Sequence, residues 1–253
     1  LNKITNFSKK LKIYERPEEL MSISLGSAET TLLKMTSAYS SFVNGGKLVE
    51  PIFIDRIQDS EGKTIFKNQL RFCKDCDLIS YTSENLPQIK NNYKQIFSPQ
   101  TAYQMTSILE GVVQRGTGKK LKDLNLQLAG KTGTTNKNTD AWFIGFTSNL
   151  VIGVYVGFDN PRTLGKFETG SKTALPIFKE FVKNSVNNHE ARPFKVAKGI
   201  KMMVVDASTG KKADSNSKST IIESFKEEKI ANNNKIDIDN IGDVSKTNIL
   251  KFY

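Results

Sequence analysis

The 253-residue sequence has one histidine, one tryptophan and two cysteines, and these scarcities exclude several kinds of site. The single His189 stands in a polar Asn-Asn-His-Glu stretch that indicates a surface position, so no serine–histidine–aspartate triad can be argued. Long hydrophobic runs are also missing. The longest, Leu150–Phe158, is about half of what a bilayer-spanning helix requires.

The two cysteines lie close together, at Cys73 and Cys76. A structural zinc site usually takes four ligands, and only His189, far along the chain, could join them. A thioredoxin-like redox motif would need a βαβ pattern around the pair, and none surrounds it. A local disulfide in an oxidising compartment, or two unpaired thiols, fits better, and we expect no metal and no cofactor.

Basic residues are in excess. Lys and Arg number 37 against 26 Asp and Glu, a formal net charge of +11. This charge suits nucleic acid, anionic lipid, a cell-wall polymer or a carboxylate-bearing substrate. Nucleic acid is disfavoured because no binding motif and no interleaving of basic and aromatic residues accompanies the charge. No secretion signal is recognisable, but the sequence opens on Leu1 instead of Met, which indicates a processed or partial chain.

The periodicity of apolar residues predicts an α+β fold in which helices cover an antiparallel sheet. Helices are expected at about 30–45, from Pro99 to about 115, and at 173–186, with Thr30 or Thr31 and Ser98 available as N-caps. Strands are expected as a hairpin within 48–66 and at 126–129, 141–146 and 150–156, the last two joined as an antiparallel pair.

The chain divides into four regions by composition. We predict a main body over 1–190, a surface insertion at 68–95 that holds the cysteines, and a small β hairpin extension at 191–213. From 214 to 253 the sequence is rich in Lys, Asn, Ser and Glu, which predicts a disordered polar tail.

The most informative segment is Leu128-Ala-Gly-Lys-Thr-Gly-Thr-Thr135. Lys131 offers a fixed positive charge, Thr132 and Thr134 offer hydroxyl groups, and Gly133 permits close approach of a ligand or another backbone. Such a set suits a carboxylate lying against a strand edge. A phosphate-binding loop would need a glycine at position 125, where the sequence has asparagine, so a nucleotide site is disfavoured.

Lys131-Thr-Gly-Thr-Thr135, followed by Asp140-Ala-Trp-Phe-Ile-Gly145, resembles the third motif of the penicillin-binding proteins and serine β-lactamases. Three flanking segments sharpen the resemblance to the transpeptidase domain of the bifunctional class A penicillin-binding proteins. They are residues 24–46, Gly111-Val-Val-Gln-Arg-Gly-Thr-Gly118 and Thr169-Gly-Ser-Lys-Thr-Ala-Leu-Pro176. The resemblance runs from about residue 20 to 186, with a gap at the insertion, and implies part of that family's fold.

In that family a Ser-X-X-Lys pair, a Ser-X-Asn loop and the Lys-Thr-Gly strand build the site together. The resemblance implies that Lys131 acts electrostatically on the terminal carboxylate of the substrate. It implies that Thr132 and Thr134 bind this carboxylate, with Gly133 and Thr135 also in the substrate-binding strand. The backbone N–H of Thr134 would be one oxyanion donor. Asp140 and Trp142 are expected to support the strand.

The sequence contains no Ser-X-X-Lys and no Ser-X-Asn at the positions where the order of motifs in the family would place them. Ser-X-X-Lys occurs at Ser60, Ser208 and Ser215, in predicted turns and the tail, and Ser-X-Asn occurs at Ser83 and Ser185. Because the family's nucleophile precedes the segment at 24–46, we expect the nucleophilic serine to be absent from this chain. The chain is then expected to be the C-terminal part of a longer enzyme and inactive alone.

The resemblance implies a peptidoglycan synthase that cross-links D-Ala-D-Ala stem peptides through a serine acyl-enzyme, which β-lactams also acylate. It further implies an upstream glycosyltransferase domain and a membrane anchor, and hence a place on the periplasmic face of the bacterial inner membrane. The alternative hypothesis is a non-catalytic structural or interaction module of the cell wall, from a split or truncated gene.

Overall fold

The computed structural model describes residues 1–68, 71–74, 76, 88–91, 93–186 and 192–227. These residues form four α-helices and nine β-strands, and every strand pair is antiparallel. The α+β prediction is thereby confirmed. The elements are α1 (Asn2–Lys10), α2 (Leu32–Val43), β1 (Arg56–Gln58), β2 (Thr64–Lys67), β3 (Arg71–Lys74), β4 (Gln88–Asn91), α3 (Pro99–Gln114), β5 (Ala129–Thr134), β6 (Asp140–Phe146), β7 (Val151–Gly157), α4 (Ala174–Ser185), β8 (Ile200–Asp206) and β9 (Thr220–Lys226).

The centre of the fold is a three-stranded sheet with the order β5-β6-β7. The predicted hairpin of β6 and β7 is confirmed, with Phe146 opposite Val151 at the turn. The Thr147 hydroxyl stabilises that turn by accepting a hydrogen bond from the Leu150 N–H at 3.1 Å. Strand β5 pairs with β6 alone among the described residues, so its outer edge is open.

The strand expected at 126–129 begins later, at Ala129, and the motif itself forms β5. Four of its six residues are alanine, glycine or lysine, which are depleted in strands, so side-chain preference does not reveal the strand. Pairing with β6 decides the conformation. Gly130 allows this pairing, because a Cβ at that position would lie 2.7 Å from the Ile144 carbonyl oxygen.

Helices cover both faces of the sheet. On one face Phe143 of β6 packs edge-to-face on Phe178 of α4, with ring centroids 4.8 Å apart. On the other face Phe146 packs with Leu109 of α3 and Phe194. The helix starts agree with their N-cap signals, since Thr31 and Ser98 accept hydrogen bonds from the N–H groups three residues on.

The hairpin expected at 48–66 is shorter than its sequence pattern, because only β1 and β2 pair. Pro51 has no N–H for a ladder, and Phe53 beside it is 82% exposed. Within the insertion at 68–95, β3 and β4 pair with each other. In the structure Cys73 and Cys76 are joined as a disulfide with Cα atoms 5.8 Å apart. His189 lies outside the described residues.

The tail boundary predicted at 214 needs correction, because β9 pairs with β8 along seven residues. Ile221 and Phe225 of β9 pack against Met203 and Val205 of β8. Ile221 and Phe225 lie four residues apart on one face of β9, and two apolar residues in a mostly polar stretch barely change its average composition. Residues 228–253 lie outside the described parts. No helix in the described ranges is both long and apolar enough to cross a membrane.

Candidate functional site

The open edge of β5 presents backbone groups of the motif. The Thr135 N–H donates to the Asp140 carbonyl at 3.2 Å, and Thr134 is paired with Ala141. Hydrogen-bonded and non-hydrogen-bonded pairs alternate along an antiparallel ladder. The N–H and C=O groups of Thr134 and Thr132 therefore point away from β6, towards the open edge.

The ammonium group of Lys131 lies at the same edge. Its Nζ donates to the Thr132 carbonyl oxygen at 2.8 Å, and that oxygen is one of the outward-pointing groups. The side chain is exposed. An ammonium has three donors, so two N–H bonds remain for an anionic ligand.

The two threonine hydroxyls of the motif share one face of β5, because side chains alternate along a strand. The Thr134 hydroxyl accepts a hydrogen bond from the Gly170 N–H at 3.0 Å. The Thr132 hydroxyl lies 3.1 Å from the Thr117 hydroxyl. Accepting a bond leaves a hydroxyl proton free, so Thr134 can still donate to a carboxylate.

The motif is an exposed surface rather than an enclosed pocket. Lys131 and Thr134 are both exposed. An open cavity of about 690 Å³ is lined by residues 13–34 and by none of the residues of β5. Charges act strongly on a bound ligand only where water is excluded, so the edge needs a second element facing it to become a closed site.

Thr135 and Asp140 close the turn that follows β5. The Thr135 hydroxyl accepts from the Asp140 N–H at 2.8 Å and contacts the Thr139 hydroxyl at 2.7 Å, so it is engaged within the turn. The Asp140 carboxylate accepts a hydrogen bond from the Tyr155 hydroxyl at 2.9 Å, which raises the pKa of Tyr155. Trp142 is half-buried against Tyr155, with ring centroids 4.8 Å apart.

Gly170 allows the segment before α4 to pack directly against β5 and β6. A Cβ on Gly170 would lie 2.4 Å from the Trp142 carbonyl oxygen and 2.6 Å from that of Gly133. Both are backbone atoms of paired strands and cannot turn aside. A residue of any other type here would push the segment away from the Thr134 hydroxyl.

Gly170→Ala is therefore expected to destabilise the chain by about 1–3 kcal/mol, the usual cost of overpacking. The matched control is Lys172→Ala, two residues on and exposed, which should stay within about 0.5 kcal/mol of the parent. Denaturant unfolding of the chain measures both values. Equal stability of the two variants would show that the segment is not packed on β5 as described.

Sequence reasoning missed two residues that touch the motif, Thr117 and Gly170. Each stands in a Thr-Gly pair that was noted for its resemblance to the family, but no role was assigned to either. Their contacts join residues that are 15 and 36 positions apart in the chain, which spacing alone does not reveal. Within the described ranges, no cluster of His, Cys, Asp and Glu could hold a metal ion.

Comparison with known proteins identifies the family. Residues 6–183 match the model of the penicillin binding protein transpeptidase domain. Penicillin-binding protein 1A of Rickettsia conorii is 42% identical over 228 residues, and that of Neisseria gonorrhoeae is 36% identical over 189. These alignments cover 89% and 73% of this chain but 28% and 22% of the relatives, so the chain spans under a third of their length.

Solved structures show the same fold. Penicillin-binding protein 1A of Haemophilus influenzae matches with a TM-score of 0.72 and 29% identity, over 87% of this chain and 35% of that one. The PonA1 protein of Mycobacterium tuberculosis, solved in complex with penicillin V, matches with a TM-score of 0.55 and 20% identity, over 74% of this chain and 50% of that one. This chain belongs to the penicillin-binding protein transpeptidase family.

Proposed function

We propose that this chain supplies the carboxylate-binding strand, β5, of a serine DD-transpeptidase that cross-links peptidoglycan. One observation carries the proposal: the Lys131 ammonium and the outward N–H of Thr134 share the open edge of β5. A positive charge there suits the terminal carboxylate of a D-Ala-D-Ala stem peptide. The backbone N–H of Thr134, three residues further along β5, suits the neighbouring carbonyl oxygen.

The proposed reaction is acyl transfer in two steps. A serine hydroxyl attacks the carbonyl carbon of the D-Ala-D-Ala bond, a base takes its proton, and the tetrahedral oxyanion accepts hydrogen bonds from Thr134 N–H and the serine's own N–H. The C–N bond breaks, the leaving amine takes a proton, and D-alanine departs. An amine of a second stem peptide then attacks the ester carbon, the C–O bond to the serine breaks, and the proton of the amine passes to the serine oxygen.

The serine and its base are proposed to lie in a segment that is not among these 253 residues. The Ser-X-X-Lys matches support this, because Ser60 follows β1 and Ser208 follows β8, neither at the N-terminus of a helix. The combination of this chain with that segment, in one polypeptide or two, is called the assembled enzyme below. The chain alone is proposed to be inactive.

On the basis of the resemblance, we also propose ligands, upstream domains and a cellular location. Stem peptides and β-lactams are the proposed ligands of the assembled enzyme, and a glycosyltransferase domain and membrane anchor are proposed upstream. The proposed location is the periplasmic face of the inner membrane. The Cys73–Cys76 disulfide agrees with an oxidising periplasm. We propose that this disulfide also forms in the cell.

Labelling with a fluorescent penicillin tests this function. The assembled enzyme should acquire one covalent label, and peptide mapping should find it on a serine outside this chain. The chain alone should remain unlabelled, because it contains the binding strand β5 but not the proposed nucleophile. An unlabelled assembled enzyme that is folded would overturn the proposal and favour a non-catalytic cell-wall module.

A further inference from the structure

The turn after α3 contacts the face of the motif strand that carries the Thr132 side chain. Helix α3 ends at Gln114, and the N–H groups of Gly116 and Gly118 both donate to the Val112 carbonyl oxygen, at 3.1 and 2.9 Å. Both bonds converge on one acceptor in the last turn of the helix. Thr117, between the two glycines, is therefore held at a defined place although its side chain is exposed.

The two glycines make this turn tight. A Cβ on Gly116 would lie 2.9 Å from the Val112 Cα and carbonyl oxygen, and one on Gly118 would lie 3.2 Å from the same oxygen. Contacts this close to helix backbone leave little room for side chains. The backbone path is therefore set by packing, and it brings the Thr117 hydroxyl to 3.1 Å from that of Thr132.

The start of the turn is held from a second direction. Arg115, the C-cap of α3, forms an ion pair with Glu223 of β9 at 2.5 Å. Gln104, further up α3, donates to the Ser224 carbonyl at 2.9 Å. The β8–β9 hairpin lies beyond residue 183, where the family match ends, so a part of the chain outside that match anchors the turn.

We propose that Thr117 is a positioning residue that orients the Thr132 hydroxyl towards the substrate carboxylate. The inference rests on the proposed function. When the Thr117 hydroxyl donates to Thr132 Oγ1, the Thr132 proton is left to point at the carboxylate. Without Thr117 the Thr132 hydroxyl turns freely, and a hydrogen bond to a charged group loses its pre-set direction.

The test compares acylation of the assembled enzyme by a penicillin with a free carboxylate and by its methyl ester. Thr117→Val should slow acylation by the free acid about tenfold, the usual scale of a hydrogen bond to a charged group, and change the ester rate less than about twofold. Thr117→Ser keeps the hydroxyl and should restore the free-acid rate. Thr209→Val, at an exposed turn beyond β8, is the matched control and should match the parent.

Two results would overturn the inference. Equal slowing with acid and ester would show a general disturbance of the site, and unchanged rates with both would show that Thr117 does not orient Thr132. Failure of the proposed function looks different, because the parent assembled enzyme would then not be acylated by either compound.

Discussion

Lys131→Ala in the assembled enzyme is expected to lower the second-order rate constant of acylation by penicillin about a hundredfold or more. The variant removes the ammonium from the open edge of β5, so the ligand carboxylate loses its only charged partner in the motif. Single preorganised donors at such sites contribute about 2.7–4 kcal/mol, which corresponds to a factor of 10²–10³. Time courses of labelling with a fluorescent penicillin measure the rate.

The fold should tolerate this change. Lys131 is exposed, and its ammonium donates to the carbonyl of the next residue, so no buried packing is lost. Lys120→Ala, another exposed lysine shortly before the motif, controls for the loss of one positive charge and should label at the parent rate. Equal rates for Lys131→Ala and the parent would refute the role of Lys131.

Phe178→Ala is expected to cost the chain about 3–5 kcal/mol of unfolding free energy, the range for buried aromatic residues. Phe178 is fully buried, packs on Phe143, and fills the space beside Gly145, where a Cβ would lie 2.6 Å from its ring. Its removal leaves a cavity directly behind β6, the strand that pairs with the motif.

Phe181 provides a matched control for this prediction. It lies on the same helix, three residues on, and is 49% exposed. Phe181→Ala should cost less than about 1 kcal/mol, since little apolar area leaves water there on folding. Urea unfolding of the chain followed by circular dichroism measures both variants. Similar losses for the two would contradict the assignment of α4 to the core.

The sequence predicted those elements whose signals are local. Ser98 and Pro99 predict the start of helix α3. β-Branched and aromatic residues predict strands β6 and β7. Strand β5 and strand β9 were misjudged because their conformation depends on partners. Gly130 and Gly133 have weak strand preference, and β9 has few apolar residues, so only pairing with β6 and β8 makes them strands.

The candidate site was predictable in its residue types but not in its geometry. Resemblance selected Lys131, Thr132 and Thr134. Which backbone groups face the open edge depends on the register between β5 and β6, and a shift of one residue would reverse it. The supports at Thr117 and Gly170 come from the turn after α3 and the segment before α4, and tertiary packing alone brings them to β5.

A crystal structure of the assembled enzyme acylated by penicillin would show whether β5 binds the ligand carboxylate. We expect the ligand carboxylate to lie within hydrogen-bond distance of the Lys131 ammonium and of the Thr132 and Thr134 hydroxyls. We also expect the acyl carbonyl oxygen to accept a hydrogen bond from the Thr134 N–H. A carboxylate bound away from β5, or an acyl oxygen directed away from its open edge, would refute the role of β5 in binding the substrate.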